Sequence, residues 1–231
     1  MKIVTIEGYG YDSNVYLIVE NDTVLLIDSG TGYYTPSILE EIRKHTSPEN
    51  ISSIILTHRH FDHSGGSTDI SKIAGCDIFI HEKGINSLVI GDPVTTCAKN
   101  FRAKMFPVKA KPLGDTFEME ENIFKIIHTP GHTSDSVSIY HEESGSLISG
   151  DTVFASGGIG RWDLPTGNAA DLSESLKKLE ELDVKHLYPG HGDTCNNNCN
   201  DAIKSAEEMI QSMEHSTIII KKQKDHADSK K

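Results

Sequence analysis

One ten-residue segment of this 231-residue chain reads Thr57-His58-Arg59-His60-Phe61-Asp62-His63-Ser64-Gly65-Gly66. It holds four potential metal ligands within six positions, directly after an apolar run at 53–56 that predicts a short buried strand. Because His58 and His60 are two residues apart, in extended chain their side chains point the same way and can share one ion. Asp62 and His63 lie just beyond, where a turn can aim them at a second ion. A hydrogen-bonded surface cluster is the structural alternative, and the density of ligands in this segment argues against it.

Three later residues stand at the ends of predicted strands in the same way. His132 and His191 each follow a Pro-Gly pair, in which the proline ends the strand and the glycine lets the backbone turn. Asp151 follows Gly150, and a carboxylate can bridge two cations through its two oxygens. Taken alone, Gly-Asp is also a common turn. Imidazole nitrogen with carboxylate oxygen suits zinc, iron or manganese. The candidate metal ligands are therefore His58, His60, Asp62, His63, His132, Asp151 and His191.

The rest of the chain alternates clusters of strands with helices, which indicates a layered α/β fold with helices outside two packed sheets. We predict a single domain over residues 1–215, followed by a charged tail at 216–231. Residues 91–112 contain three prolines and no sustained period, so we interpret them as an active-site flap or insertion. The last helix is expected from about 200 to 213.

The composition limits the classes of partner. The formal charge is −12, with 22 basic and 34 acidic residues, which argues against an extended nucleic-acid or anionic-membrane footprint but leaves room for a local basic pocket. The N-terminal apolar run is too short for a signal peptide, and no later run approaches a membrane span. We therefore expect a cytoplasmic protein that acts on a small molecule, and its oligomeric state is not readable from the sequence.

The four cysteines lie at positions 76, 97, 195 and 199. Cys195 and Cys199 form a Cys-x₃-Cys pair. For a cytosolic chain with a large core, the expected state of these residues is reduced thiols without a structural function. A redox or accessory-metal role for the pair is the alternative.

Together, the motifs resemble those of the metallo-β-lactamase superfamily, specifically its glyoxalase II-like branch. The matching pieces occur in the family's order at 57–63, 128–133, 150–151 and 189–191, and the resemblance spans roughly residues 3–195. It implies a four-layer αββα sandwich with the metals at one edge. It assigns one ion to His58, His60 and His132, the other to Asp62, His63 and His191, and the bridging position to Asp151. Asp28 falls where the family commonly keeps a buried aspartate, although a turn aspartate at the end of a strand explains it almost as well.

The resemblance implies a hydrolase. Two divalent ions, zinc before iron or manganese, lower the pKa of a shared water, and the metal-bound hydroxide attacks a thioester, ester or lactone carbonyl. Asp62 is the expected catalytic residue, as a ligand that also hydrogen-bonds the water. Only 40 residues follow His191, fewer than in full glyoxalase II enzymes, and the tyrosine usual after the last histidine is missing. Both departures argue against glutathione recognition.

Residues 157–165 resemble a Gly-Arg-x-Asp motif that small glyoxalase II-like hydrolases share with persulfide dioxygenases of the same fold. Arg161 can grip a substrate carboxylate, or it can pair with Asp163 and organise its own loop. The strongest rival function is accordingly a persulfide dioxygenase with one ferrous ion held by His60, His132 and Asp151. A non-enzymatic scaffold or a redox sensor using the Cys195–Cys199 pair is the third alternative.

Overall fold

The computed structural model describes the backbone of residues 1–197 and 199–228, with side chains as far as residue 213. Its strands form two sheets. The first contains, in spatial order, β1 (Lys2–Ile6), β2 (Val15–Glu20), β3 (Thr23–Ile27), β4 (Ile51–Ile55), β5 (Asp77–Ile80) and β6 (Ala110–Pro112). The second contains β7 (Thr116–Met119), β8 (Asn122–His128), β9 (Val137–His141), β10 (Ser146–Gly150) and β11 (His186–Pro189), ordered from one edge to the other.

Six α-helices connect or cover these strands in the described part of the chain. They are α1 (Thr35–Arg43), α2 (Phe61–Ser64), α3 (Ser67–Ala74), α4 (Glu82–Ile90), α5 (Ala169–Glu180) and α6 (Cys199–Asp228). Their ends carry the expected signals. The Asn168 side chain accepts the Asp171 amide at the start of α5, as an N-cap should. Gly75 and Gly91 end α3 and α4 in the left-handed conformation, which costs glycine little.

The core has three layers of contact because the strand residues alternate in direction. On β3, Val24 and Leu26 belong to the cluster that packs the first sheet against α1, α3 and α4. Leu25 and Ile27, on the opposite face, belong to the cluster between the two sheets. A third cluster packs the second sheet against α5 and α6. This period of two is what a strand buried on both faces requires, and it confirms the predicted four-layer αββα sandwich.

The two sheets come together at the edge where the metal-ligand motifs begin. β3 and β4 are parallel, as are β10 and β11, so within each pair the carboxyl ends lie on the same side. The Val137 amide donates to the Thr57 carbonyl at 2.9 Å, and the Asn14 amide donates to the Gly190 carbonyl at 2.7 Å. These bonds cross between the sheets, because the first joins the loop after β4 to β9 and the second joins the loop after β11 to the start of β2.

The structure adds detail to one expectation and corrects two. Residues 91–112 contain a 3-10 helix, Ala98–Phe101, and end in β6, which pairs with β5; their role as an active-site flap or insertion stays a prediction. Helix α6 continues to Asp228 rather than ending near 213, so the predicted tail at 216–231 begins inside it, and residues 229–231 lie outside the described chain. Cys195 and Cys199 form a disulfide instead of remaining thiols. No described helix has the length and apolarity needed to span a membrane.

Candidate metal centre

The first ligand segment changes conformation between its histidines. Residue His60 is extended, with φ −57° and ψ 147°, and α2 begins at the next residue. Extended backbone up to His60 followed by a helical turn sends the side chains of His58, His60 and His63 into one space. Their ring centroids lie 4.8 Å apart for His58 and His60 and 4.1 Å apart for His58 and His63. All three side chains are buried.

All seven sequence-predicted ligands converge at this place. Their ligand atoms form three overlapping groups, within each of which the atoms lie no more than 4.8 Å apart. The groups are His58 with His60 and His132, His58 with His63 and Asp151, and Asp62 with His63 and His191. The structure thus brings together side chains from four separate loops. Their roles as ligands remain predictions.

The distances place Asp151 between the other residues. Its Oδ1 lies 3.4 Å from His63 Nε2, whereas its Oδ2 lies 3.5 Å from His132 Nε2 and 3.7 Å from His191 Nε2. On one side, His60 Nδ1 is 2.8 Å from His132 Nε2. On the other, His191 Nε2 is 3.2 Å from Asp62 Oδ2. A carboxylate whose two oxygens face different histidines is arranged as a bridge.

Several buried atoms in this cluster have no hydrogen-bond partner. These atoms are His58 Nε2, His60 Nε2, His63 Nε2 and Asp151 Oδ1. Buried polar atoms in folded proteins are nearly always satisfied, and all four belong to residues whose ligand atoms gather in this cluster. Nitrogen and carboxylate oxygen are ligands that zinc, iron and manganese accept. The residues present therefore fit divalent cations.

Contacts behind the cluster orient two of the histidines. His63 Nδ1 donates to Asp28 Oδ2 at 2.8 Å, and Asp28 is itself held by the amide and the hydroxyl of Thr57, both at 2.8 Å. His132 Nδ1 donates to the Arg161 carbonyl at 2.6 Å. Such partners leave Nε2 of each ring free to face a metal. The sequence left two interpretations of Asp28 open, a buried aspartate near the site and a turn aspartate at the end of a strand. The contact with His63 favours the first.

Glycine allows the loops to approach this closely. A Cβ at Gly160 would lie 2.0 Å from the Asp151 carbonyl oxygen and 2.9 Å from His132 Nδ1. A Cβ at Gly190 would lie 2.1 Å from Asp151 Oδ1. Both are far inside van der Waals contact. The site therefore depends on the absence of side chains at these two positions.

Burial and neighbouring charges separate the pKa values of the histidines. Burial, followed by the His132 ring, lowers the pKa of His60 to about 3, and burial also lowers the pKa of His58 and His132. Burial opposes protonation of His63 as well, but the Asp151 and Asp28 carboxylates outweigh it and hold its pKa well above the usual value. Neutral imidazole is the form that binds a metal, so three of the rings are ready for a cation even without one.

Asp62 is held in its ionised form. Burial raises the pKa of this carboxyl group, but the hydrogen bond from His191 and the charge of His63 more than offset burial and lower it. Asp151 behaves similarly: burial is outweighed by His63 and His191, and its pKa falls well below the ordinary value. Two ionised carboxylates, of Asp151 and the partly buried Asp62, stand among five histidines and give the centre both anionic and neutral ligands.

A buried ion pair that was not predicted from the sequence lies beside the site. Arg59 lies between two ligands, and its Nε donates to Asp135 Oδ1 at 2.7 Å, with both side chains buried. Its other nitrogens donate to the Ser87 and Ser134 hydroxyls and to the Lys83 carbonyl. These contacts hold the buried Arg59 side chain in place, and they therefore also fix the backbone that carries His58 and His60. Its position within the motif was the available signal, whereas nothing marked Asp135.

Arg161 does not point at the cluster. Its guanidinium donates twice to the Asp163 carboxylate, at 2.9 and 2.7 Å, and both side chains are exposed. This is the loop-organising arrangement that the sequence analysis weighed for the pair. A role for Arg161 in substrate binding remains a prediction, while its backbone carbonyl already contacts His132.

Residues 8–191 match the family model described as the metallo-beta-lactamase superfamily. The match covers most of the chain and contains all seven clustered side chains. The chain therefore belongs to the metallo-β-lactamase superfamily. The specific glyoxalase II-like branch is a finer assignment that this match does not test.

Individual relatives agree with this assignment. A probable metallo-hydrolase of Methanocaldococcus jannaschii is 42% identical over 200 residues, covering 83% of this chain and 93% of the relative. The human acyl-coenzyme A thioesterase MBLAC2 is 26% identical, covering 80% of this chain and 75% of the relative. Among solved structures, the B3 metallo-β-lactamase BLEG-1 is similar with a TM-score of 0.74, 25% identity, and coverage of 90% of this chain and 96% of that one. A structure of TTHA1623 in a di-iron-bound form has a TM-score of 0.69, 26% identity, and coverage of 84% and 94%. These similarities support a metal-dependent hydrolase.

Proposed function

We propose that this protein is a hydrolase that cleaves a small-molecule thioester at a centre of two divalent cations. The observation that carries the proposal is the convergence of seven donor side chains with Asp151 facing both sides. One group of donors, His58, His60 and His132, would hold the first cation. Asp62, His63 and His191 would hold the second.

The bound cations would lower the pKa of a shared water toward neutrality and stabilise negative charge on the carbonyl oxygen. Asp62, kept ionised by His191, would accept a hydrogen bond from that water and so orient it toward the carbonyl carbon. Asp28 would hold His63 in the tautomer with Nε2 free. No serine or cysteine nucleophile is required by this arrangement.

Two observations favour a thioester over the ester and the lactone. The human relative MBLAC2 is named as an acyl-coenzyme A thioesterase, and a second relative, of Aspergillus fumigatus, is named as an acyl-carrier-protein thioesterase. The tyrosine that is usual after the last histidine of full glyoxalase II enzymes is missing here, where Gly192 and Asp193 follow His191, and this argues that the thiol part is not glutathione. Zinc is the metal we expect first, and the di-iron form of a similar structure keeps iron open as the alternative.

A substrate panel tests this function. The protein, purified without added metal and then loaded with zinc or iron, is assayed for thiol release from acyl-coenzyme A, acyl-N-acetylcysteamine and S-lactoylglutathione, with ester and lactone substrates in parallel. We expect thioester cleavage that Asp62→Asn lowers by about 100-fold or more, the scale of losing a positioned acid–base group. Asp69→Asn, in an exposed pair with Lys72 on α3, is the matched control. The absence of cleavage for all thioesters would refute the proposal.

The rival function, a one-iron persulfide dioxygenase, uses only His60, His132 and Asp151. It would leave without a cation the group formed by Asp62, His63 and His191, whose ligand atoms also lie within 4.8 Å of one another, and this is the observation that weighs against it. Oxygen consumption with a persulfide substrate and about one iron per chain would decide for the rival. Neither outcome depends on the thioester panel.

A further inference from the structure

A cleft lies beside the metal centre, on the side of the first sheet. It has a volume of about 640 Å³, and aromatic rings form much of its wall: Tyr11, Tyr33, Tyr34 and Phe101. Tyr11 and Tyr33 are 80% and 60% exposed. Aromatic rings that are exposed together around a cleft are typical of a ligand-binding site.

The cleft adjoins the ligand segment directly. Phe61, which stands between His60 and Asp62, contacts both walls: its ring centroid is 5.8 Å from Tyr33 and 5.6 Å from Phe101. The amide of Ser13, the residue after Asp12 of the cleft lining, donates to the Asp62 carbonyl at 3.0 Å. A molecule in this cleft therefore lies next to the proposed site of hydrolysis.

One wall of the cleft comes from a positively charged segment, residues 93–114. Residues 93–114 contain five basic residues and no acidic one, whereas the rest of the chain has 17 basic and 34 acidic residues. All five are exposed. Arg102 lines the cleft itself, with Lys99 and Lys104 close by in sequence. Among the residues that the structure describes, Lys99 and Arg102 form no ion pair, and Lys104 lies 5.1 Å from the Phe106 ring centroid.

This segment is fixed relative to the metal centre. The Phe61 amide donates to the Thr96 carbonyl at 2.8 Å, and Arg102 and Ala103 donate back to Lys99 and Ala98. The one acidic residue lining the cleft, Asp12, is turned away, because its Oδ1 accepts the Thr31 amide and its Oδ2 is buried beside Gly30. The charge facing the cleft is therefore positive.

We propose that the aromatic cleft, together with Lys99, Arg102 and Lys104, binds the nucleotide part of a nucleotide-bearing thioester of the coenzyme A type. Aromatic rings stack on a base whatever its identity, and guanidinium and ammonium groups pair with its phosphates. The remaining arm of the substrate then carries the thioester toward Asp62. The inference rests on the proposed hydrolysis and assigns to it a substrate class. An acidic carrier protein would use the same positive charge, but it has no base for the rings to stack on.

The test compares two thioesters with the same acyl group, one of coenzyme A and one of N-acetylcysteamine, which lacks the nucleotide. We expect a KM about tenfold or more lower for the coenzyme A thioester, as one or two phosphate contacts provide. High salt should remove that advantage. Charge reversal by Arg102→Glu with Lys104→Glu, or loss of the ring by Tyr11→Leu, should reduce the ratio of kcat/KM between the two substrates about tenfold. Lys204→Glu, an exposed reversal on α6, is the matched control.

Binding of adenosine 3′,5′-bisphosphate to the full-length protein, measured by calorimetry, separates the two proposals. If neither thioester is cleaved, the proposed hydrolysis fails, while nucleotide binding that Arg102→Glu weakens would still support this site. If both thioesters are cleaved with equal KM, hydrolysis stands and the nucleotide site is refuted. A thioester on an acyl carrier protein that is preferred without any nucleotide binding would also refute it.

Discussion

His63 donates from Nδ1 to Oδ2 of Asp28 across 2.8 Å, and this contact sets which nitrogen of the ring faces the metal centre. Asp28 comes from the end of β3, and His63 comes from α2, after β4. The pair therefore joins two parallel strands of the first sheet through the site. A carboxylate behind a histidine ligand fixes the ring's tautomer and orientation and makes the facing nitrogen more basic.

Replacing Asp28 by asparagine should weaken metal binding without unfolding the protein. Asparagine tolerates the left-handed backbone at this position, where φ is 60°, but it carries no charge to hold the His63 tautomer. We expect metal affinity and turnover to fall by about 10- to 100-fold. Metal competition titration and kcat measure the effect, with the exposed Asp69→Asn as the control. A metal affinity of the variant equal to that of the wild type would show that Asp28 does not orient His63 for metal binding.

The close approach at Gly160 predicts an effect of a single methyl group. Its Cβ would lie 2.0 Å from the Asp151 carbonyl oxygen, so Gly160→Ala must displace either the loop or the bridging residue. We expect a loss of about 1–3 kcal/mol in the free energy of unfolding together with reduced metal content. Gly158→Ala is the matched control, because its nearest neighbour is Ser156 Oγ at 3.4 Å. Equal behaviour of the two variants in urea denaturation would contradict this packing.

The buried pair of Arg59 and Asp135 predicts a large change in stability. Arg59→Met leaves the Asp135 carboxylate, which has no exposed surface, without its charged partner. Removing one partner of a buried pair typically costs about 3–5 kcal/mol. Lys125→Met, which breaks an exposed pair with Glu142, should have little effect. Chemical denaturation of both variants measures the contrast, and similar midpoints would show that Arg59 does not support the ligand segment.

The lowered pKa of His60 predicts how the metal-free protein responds to acid. The folded pKa is about 3, below the ordinary value of 6.5, because burial and the His132 ring oppose protonation. The stability that the neutral ring contributes is present above pH 6.5 and is lost as the pH falls toward 3. Denaturation of the protein, freed of metal by a chelator, at a series of pH values should show this decline in the free energy of unfolding, and His60→Asn should make the decline shallower. The same decline in the wild type and the variant would contradict a lowered pKa of His60.

The sequence predicted what local patterns encode. The ligands at 58–63 lie together in the chain, and His132, Asp151 and His191 follow recognisable strand ends. Their convergence could be predicted because these motifs resemble those of the metallo-β-lactamase superfamily. Partners distant in sequence left no such mark. Arg59 and Asp135 are 76 positions apart, and either residue alone suggests only a surface charge.

Two further features depended on tertiary geometry. A disulfide between Cys195 and Cys199 requires their Cα atoms to lie close together, here 5.8 Å apart, and the Cys-x₃-Cys spacing alone does not determine this. Residues 91–112 show no period because β6 is only three residues long. Their pairing with β5 arises from the sheet edge and not from their own sequence.

The most direct test of the central claim is a count of the ions bound per chain by native mass spectrometry after loading with zinc or iron. The account predicts two ions in the wild type and one in His191→Asn, because that change removes a ligand from only one of the groups around Asp151. A single ion in the wild type, or the same count in the variant, would contradict the two-cation centre.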